Sequence, residues 1–235
     1  MPNTPITVLS AVMGVLCVPS HAGIMQLDDG LRSQSYGVST SPLDPSIEPN
    51  AINIHAKPPG LFADWDSAYS IAIPDASVDS TYTSSISSGF FECSSSIHAS
   101  LDNSGSQYLE SYSVGLSVFQ VDFTITEVTE FDLNVNLDAS GPVGNVSFRM
   151  NEISTFEELY SIQTTSGSAS LVDTISLQPG SYRFHIGTAL FMLGDDGFSG
   201  ESTLSYSASL IAVPAPSSLA LLTLSGLLTT RRRRT

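Results

Sequence analysis

The chain reads as an all-β protein, an antiparallel β-sandwich of about nine strands, and three observations carry that reading. Apolar and polar residues alternate with period two over most of residues 66–212, as in Phe131, Leu133, Val135 and Leu137. Turn-forming clusters interrupt the alternation at short intervals: Asp102-Asn103-Ser104-Gly105, Asp138-Ala139-Ser140-Gly141, Gln178-Pro179-Gly180 and Gly194-Asp195-Asp196-Gly197. Charged residues are only 13% of the chain, with Ser and Thr as the main polar types, so the usual exposed-face helix formers are scarce.

Taken in order, the alternating segments are 67–73, 89–100, 112–126, 131–137, 146–150, 159–164, 171–177, 182–193 and 202–213. Residues 156–160 alone invite a short helical turn. Upstream, residues 23–65 contain Pro42, Pro45, Pro49, Pro58 and Pro59 with little apolar period, which predicts an extended, loosely packed lead-in. Apolar residues make up 41% of 235, enough for one domain with a real core. Leu177-Gln178-Pro179-Gly180-Ser181-Tyr182-Arg183-Phe184 resembles the Leu-x-x-Gly-x-Tyr-x-Phe hairpin of jelly-roll and pre-peptidase C-terminal-like modules. The resemblance implies a jelly-roll-like sandwich, with Gly180 in the turn and Tyr182 and Phe184 on one face.

The formal charge is −15. Four of the eight basic residues are Arg231, Arg232, Arg233 and Arg234; without them, four cations face 23 carboxylates, a net of −19. Such a surface repels phosphate, which excludes a nucleic-acid partner.

Both ends carry transport signals. Ile6 to Val18 is an apolar run too short to span a bilayer but of signal-peptide length, stopped by Pro19. Ser20 and Ala22 place small residues at −3 and −1, so signal peptidase is expected to cut after Ala22 and residues 1–22 to form a signal helix. At the other end, Val213-Pro214-Ala215-Pro216 leads into Leu219–Leu228 and then the four arginines. The prolines favour an extended peptide that a protease can grip. Six leucines favour membrane insertion by only about −2 to −4 kcal/mol, over half the length of a normal span. The arginines hold the C-terminus in the cytoplasm. The expectation is a short apolar helix inserted transiently in the inner membrane through Leu219–Leu228, with the body outside.

Proline motif, short apolar segment and terminal arginine run, in that order, resemble the PEP-CTERM sorting domain of exported bacterial proteins. The resemblance covers residues 213–234. It implies recognition at Val213, Pro214, Ala215 and Pro216 by an exosortase, a membrane-embedded cysteine protease, with Ala215 standing where the family has Glu. The alternative is a C-terminal membrane anchor that is never cut. The domain plan is therefore signal peptide 1–22, lead-in 23–65, sandwich 66–212 and sorting tail 213–235.

No Gly-x-Ser-x-Gly, His-Glu-x-x-His, Walker, Cys-x-x-Cys or dinucleotide motif occurs, so no catalytic residue, cofactor or metal is assigned. Cys93 is the one cysteine outside the signal peptide; it reads as a packed strand residue, or as a nucleophile if His98 served as its base. His185 reads as a strand histidine on the face opposite Phe184 and Ile186. Asp102, Asn103, Asp195 and Asp196 carry oxygens of the kind calcium takes, without a full EF-hand or nonapeptide pattern, and turn chemistry accounts for the same residues. Trp65, Tyr69, Tyr82, Tyr108 and Tyr112 supply aromatic rings for sugar stacking or for packing. These features predict a non-enzymatic surface or extracellular-matrix protein associated with exopolysaccharide. The alternative is a carbohydrate- or calcium-binding adhesin module.

Overall fold

Twelve strands run through the described residues: β1 (Met25–Pro42), β2 (Asn50–Ala56), β3 (Trp65–Ile73), β4 (Ala76–Ile86), β5 (Phe90–Asp102), β6 (Tyr108–Ile125), β7 (Thr129–Ser140), β8 (Asn145–Glu152), β9 (Glu158–Thr164), β10 (Gly167–Leu177), β11 (Gly180–Asp195) and β12 (Ser199–Ala212). The computed structural model describes residues 25–42, 46, 48, 50–104, 108–195 and 197–213; the signal segment, the sorting tail from Pro214 and their expected helices lie outside them.

The strands form two six-stranded antiparallel sheets, in the orders β2-β1-β6-β11-β8-β9 and β10-β7-β12-β5-β4-β3. The predicted sandwich is thus present. From β5 onward the chain passes to the other sheet at every connection except the β8–β9 hairpin. All nine expected strands occur, as β3 and β5 to β12; β1, β2 and β4 are additional.

The 23–65 segment is correspondingly not a loose lead-in. β1 pairs with β6 along nearly its whole length, from Met25↔Ile125 to Pro42↔Tyr108, and β2 forms the edge beside it. The reason the period was not visible lies on the inner face of β1, where Arg32, Gln34 and Thr40 flank Tyr36 and Val38, all buried. β4 was hidden in the same way, since Ser80 and Ser84 share its inner face with Val78, Tyr82 and Ile86. Residues 156–160 make no helical turn; Phe156 takes φ 58° and β9 starts at Glu158.

Between the sheets the core is aromatic. Phe91 of β5 meets Phe184 of β11 at 4.8 Å and Phe123 of β6 at 5.6 Å, both edge-on, and Phe148 of β8 lies 4.9 Å from Phe184. Each such pair adds about 0.5–1.5 kcal/mol beyond the area it buries. The Leu177–Phe184 segment places Tyr182 and Phe184 inward as expected, and Tyr182 Oη donates to the Gln178 carbonyl at 2.7 Å to close the bend. It is not a hairpin, however. β10 pairs with β7 in one sheet and β11 with β6 and β8 in the other, so this turn bridges the two layers.

Arg32 ties the β2–β3 connection to this body. It is 3% exposed, its Nη1 donates to the Ala63 carbonyl and Ser84 Oγ, and its Nη2 donates to the Gly60 and Leu61 carbonyls, all at 2.7–2.8 Å. Desolvation lowers its pKa from the usual arginine value.

Candidate functional site

Of the sorting residues, only Val213 is described. Its amide donates to the Glu130 carbonyl at 2.9 Å, which ties the last described residue to the sandwich. Ala22, Pro214, Ala215, Pro216, Leu219–Leu228 and Arg231, Arg232, Arg233 and Arg234 lie outside the described residues. Among the described residues no helix is long and apolar enough to cross a membrane.

The two acidic turns do come together at the end of the sandwich remote from Val213. Asn103 N donates to Phe198 O at 2.7 Å and Gly197 N donates to Asn103 O at 3.2 Å. Asn103 is fully buried; its amide nitrogen donates to Gly194 O and its Oδ1 accepts from Ser111 Oγ at 3.1 Å. The asparagine therefore staples the two loops and turns inward. Asp102 is exposed, and hydrogen bonds from Ser104 Oγ and Ser104 N hold its carboxyl below the ordinary value. Asp195 is exposed at the end of β11, and Asp196 lies outside the described residues. Among the described residues no group of three or more His, Cys, Asp or Glu side chains is arranged to hold a metal ion.

Cys93 is buried, and desolvation raises its thiol pKa well above the usual value. The parity of β5 puts His98 on the other face of the sheet, where its Nδ1 meets Thr203 Oγ1 at 2.9 Å. Cys93 is thus the packed strand residue expected, and the alternative, a nucleophile with His98 as its base, has no geometry here. His185 lies on the outer face of β11, its pKa lowered by partial burial and by Arg183 and Arg149. Arg183 is itself held by Asp122 through two hydrogen bonds, at 2.8 and 2.6 Å.

The two outer faces differ sharply. On the sheet containing β5, hydroxyls, carboxamides and carboxylates stand in register across the strands. One row reads Ser170, Asn136, Ser207, Ser94, Thr83 and Asp66. This face holds a shallow trough of about 600 Å³ bordered by Asp64, Asp66, Glu92, Asn134 and Asn136. Many of its polar groups already bond to each other: Thr83 with Ser94 at 2.7 Å, Ser85 with Asp64 at 2.7 Å, and Thr174 with Asp132 at 2.9 Å. It behaves as a self-satisfied polar coat.

The aromatic candidates divide by strand parity. Trp65 packs 4.5 Å from Tyr82 inside the sandwich, and Tyr69 sits 5.9 Å from the buried Tyr36. The ring of Tyr108 lies outside the described residues. Tyr112 points to the outer face of β6, where its ring lies 6.4 Å from Phe191 of β11 with the planes only 21° apart. Phe191 was not among the residues expected from sequence, because its role depends on β11 lying beside β6. The chain matches no protein-family model and no curated protein.

Proposed function

We propose that this chain is an exported, non-enzymatic protein of the bacterial cell surface or extracellular matrix, sorted by an exosortase-type protease and associated with exopolysaccharide. One observation supports the processing route most directly. The last described strand ends at Ala212, and Val213, hydrogen-bonded to Glu130, stands one position before Pro214. A cut at the 213–216 motif would remove none of the described strands. Cleavage after Ala22 would likewise leave β1, which starts at Met25, whole. Both expected cuts thus fall outside the described strands, which suits a protein that outlives its anchor.

The strand order supports reading residues 90–212 as a jelly roll. β5-β12-β7-β10 and β6-β11-β8-β9 are the two four-stranded halves of that winding, with β1–β2 and β3–β4 added at one side. Mass spectrometry of material secreted by the producing cells tests the route. The expected mature chain starts at Gly23 and ends within 213–216. A secreted chain that keeps Arg231 to Arg234 overturns it.

A further inference from the structure

The outer face of the β6–β11 pair departs from the rest of the surface. Tyr112, Val114 and Leu116 on β6 stand beside Leu193, Phe191 and Ala189 on β11, in direct register. Leu116 is 42%, Leu193 52% and Phe191 57% exposed, in a chain whose other outer face is mainly hydroxyls, carboxamides and carboxylates. A contiguous exposed apolar patch amid polar surface marks a contact site.

We propose that Tyr112 and Phe191 form a stacking platform for the rings of an uncharged polysaccharide, with Asn53, Ser35 and His55 as its hydrogen-bonding edge. A sugar ring offers an apolar C–H face and a rim of hydroxyls, so its site needs a flat apolar surface beside mixed donors and acceptors. The exposed Phe191 ring, with Tyr112, Leu116 and Leu193 beside it, supplies the first. The second comes from β1 and β2, one and two strands from β6. Asn53 pairs with Gly37, which pairs with Val114, and a Cβ at position 37 would collide with Asn53 Oδ1 and come within 3.1 Å of Val114. The absence of a side chain at Gly37 is what lets the Asn53 carboxamide lie across β1 toward the platform. In the next row, Ser35 Oγ and His55 Nδ1 meet at 2.6 Å on the same face.

Charge selects the ligand class. The platform ends at the paired Glu110 and Asp195, while Arg149 and Arg183 stand toward the opposite end of the face. Anionic glycans meet carboxylates here. The same charge argues against a second copy of the chain, because each carries a net of about −19 without the terminal arginines. Val213, the last described residue, lies beside Glu130 at the end of the body where β6 finishes at Ile125, and Tyr112 lies 13 residues back along β6, about 40 Å away. The platform thus lies toward the end of the sandwich remote from Val213.

This inference rests on the exopolysaccharide association proposed above, and its test separates the two. Native gels cast with dextran, xylan, galactomannan or alginate are run with the full chain and with Phe191→Ala, Tyr112→Ala and Asn53→Ala. At least one uncharged polymer should retard the wild type and alginate should not. Either aromatic substitution should weaken retardation roughly tenfold with an unchanged melting temperature. Asn53→Ala, which leaves the rings in place, should weaken it less. No retardation by any uncharged polymer, or unaltered retardation of both aromatic variants, overturns the site. So does a concentration-dependent dimer that Phe191→Asp dissolves, since it would assign the face to self-association. A secreted chain that retains its arginines while still binding polymer would refute the sorting route and leave the platform standing.

Discussion

Replacing Arg32 by Met tests whether one buried guanidinium holds the β2–β3 connection onto the sandwich. The substitution keeps the length of the side chain and removes four hydrogen bonds of 2.7–2.8 Å. Ser84 can reorient its hydroxyl, so the lasting cost falls on the carbonyls of Gly60, Leu61 and Ala63. A buried acceptor stripped of its donor costs about 1–3 kcal/mol. The three carbonyl contacts are only part-buried, and water can recover some of that, which places the total near 3–5 kcal/mol. For a body of this size, each kcal/mol lowers Tm by about 2–4 °C, so a fall of roughly 10 °C is expected. Urea unfolding at neutral pH should show a lower midpoint with an unchanged slope. Thermolysin should also cut faster at Leu61 or Phe62 in the native protein. Arg32→Lys should fall between the two, because one ammonium cannot serve both pairs of acceptors. A loss below about 1 kcal/mol in the Met variant, with no change in proteolysis, would refute the reasoning.

Other expectations follow from single contacts. Gly115→Ala should destabilise by about 1–3 kcal/mol in urea melts, because its Cβ would come within 2.5 Å of Ile97 Cγ2 across the core; a neutral result would mean the sheets separate easily there. His185 titrates below its ordinary 6.5 because of desolvation and the nearby Arg183 and Arg149. The unfolded chain then binds the proton more readily, so this histidine's contribution is fully present above pH 6.5 and is lost as pH falls below it. His185→Gln should flatten part of the drop in urea midpoint between pH 7.5 and 5, and an identical pH profile would contradict the assignment. Cys93 should resist thiol reagents in the native state and react fully in urea, given its burial and raised pKa; rapid native labelling would show that β5 opens.

The strands legible in the sequence are those whose inner positions are apolar. β7, with Phe131, Leu133, Val135 and Leu137 inward, announces itself through composition alone. β1 and β4 do not, because hydropathy reports burial only where the interior is greasy. Arg32, Gln34, Ser80 and Ser84 are inside because other parts of the chain accompany them there: Ser67 Oγ donates to Gln34 Oε1, and Arg32 meets Ser84 from 52 residues away. The same limit applied to the surface. Five aromatic residues looked equivalent as sugar-stacking candidates, yet parity buried Trp65 and Tyr82 and turned Tyr112 outward.

The sequence by itself determined the β class, the nine apolar-faced strands and the turns between them. Each of these is written in runs of neighbouring residues, as period or turn chemistry. Tertiary structure decided that 25–42 and 50–56 are part of the sandwich, that β10 and β11 belong to different sheets, and that Tyr112 meets Phe191. Those facts depend on which strands lie side by side, a long-range choice set by burial and backbone pairing that no local window contains.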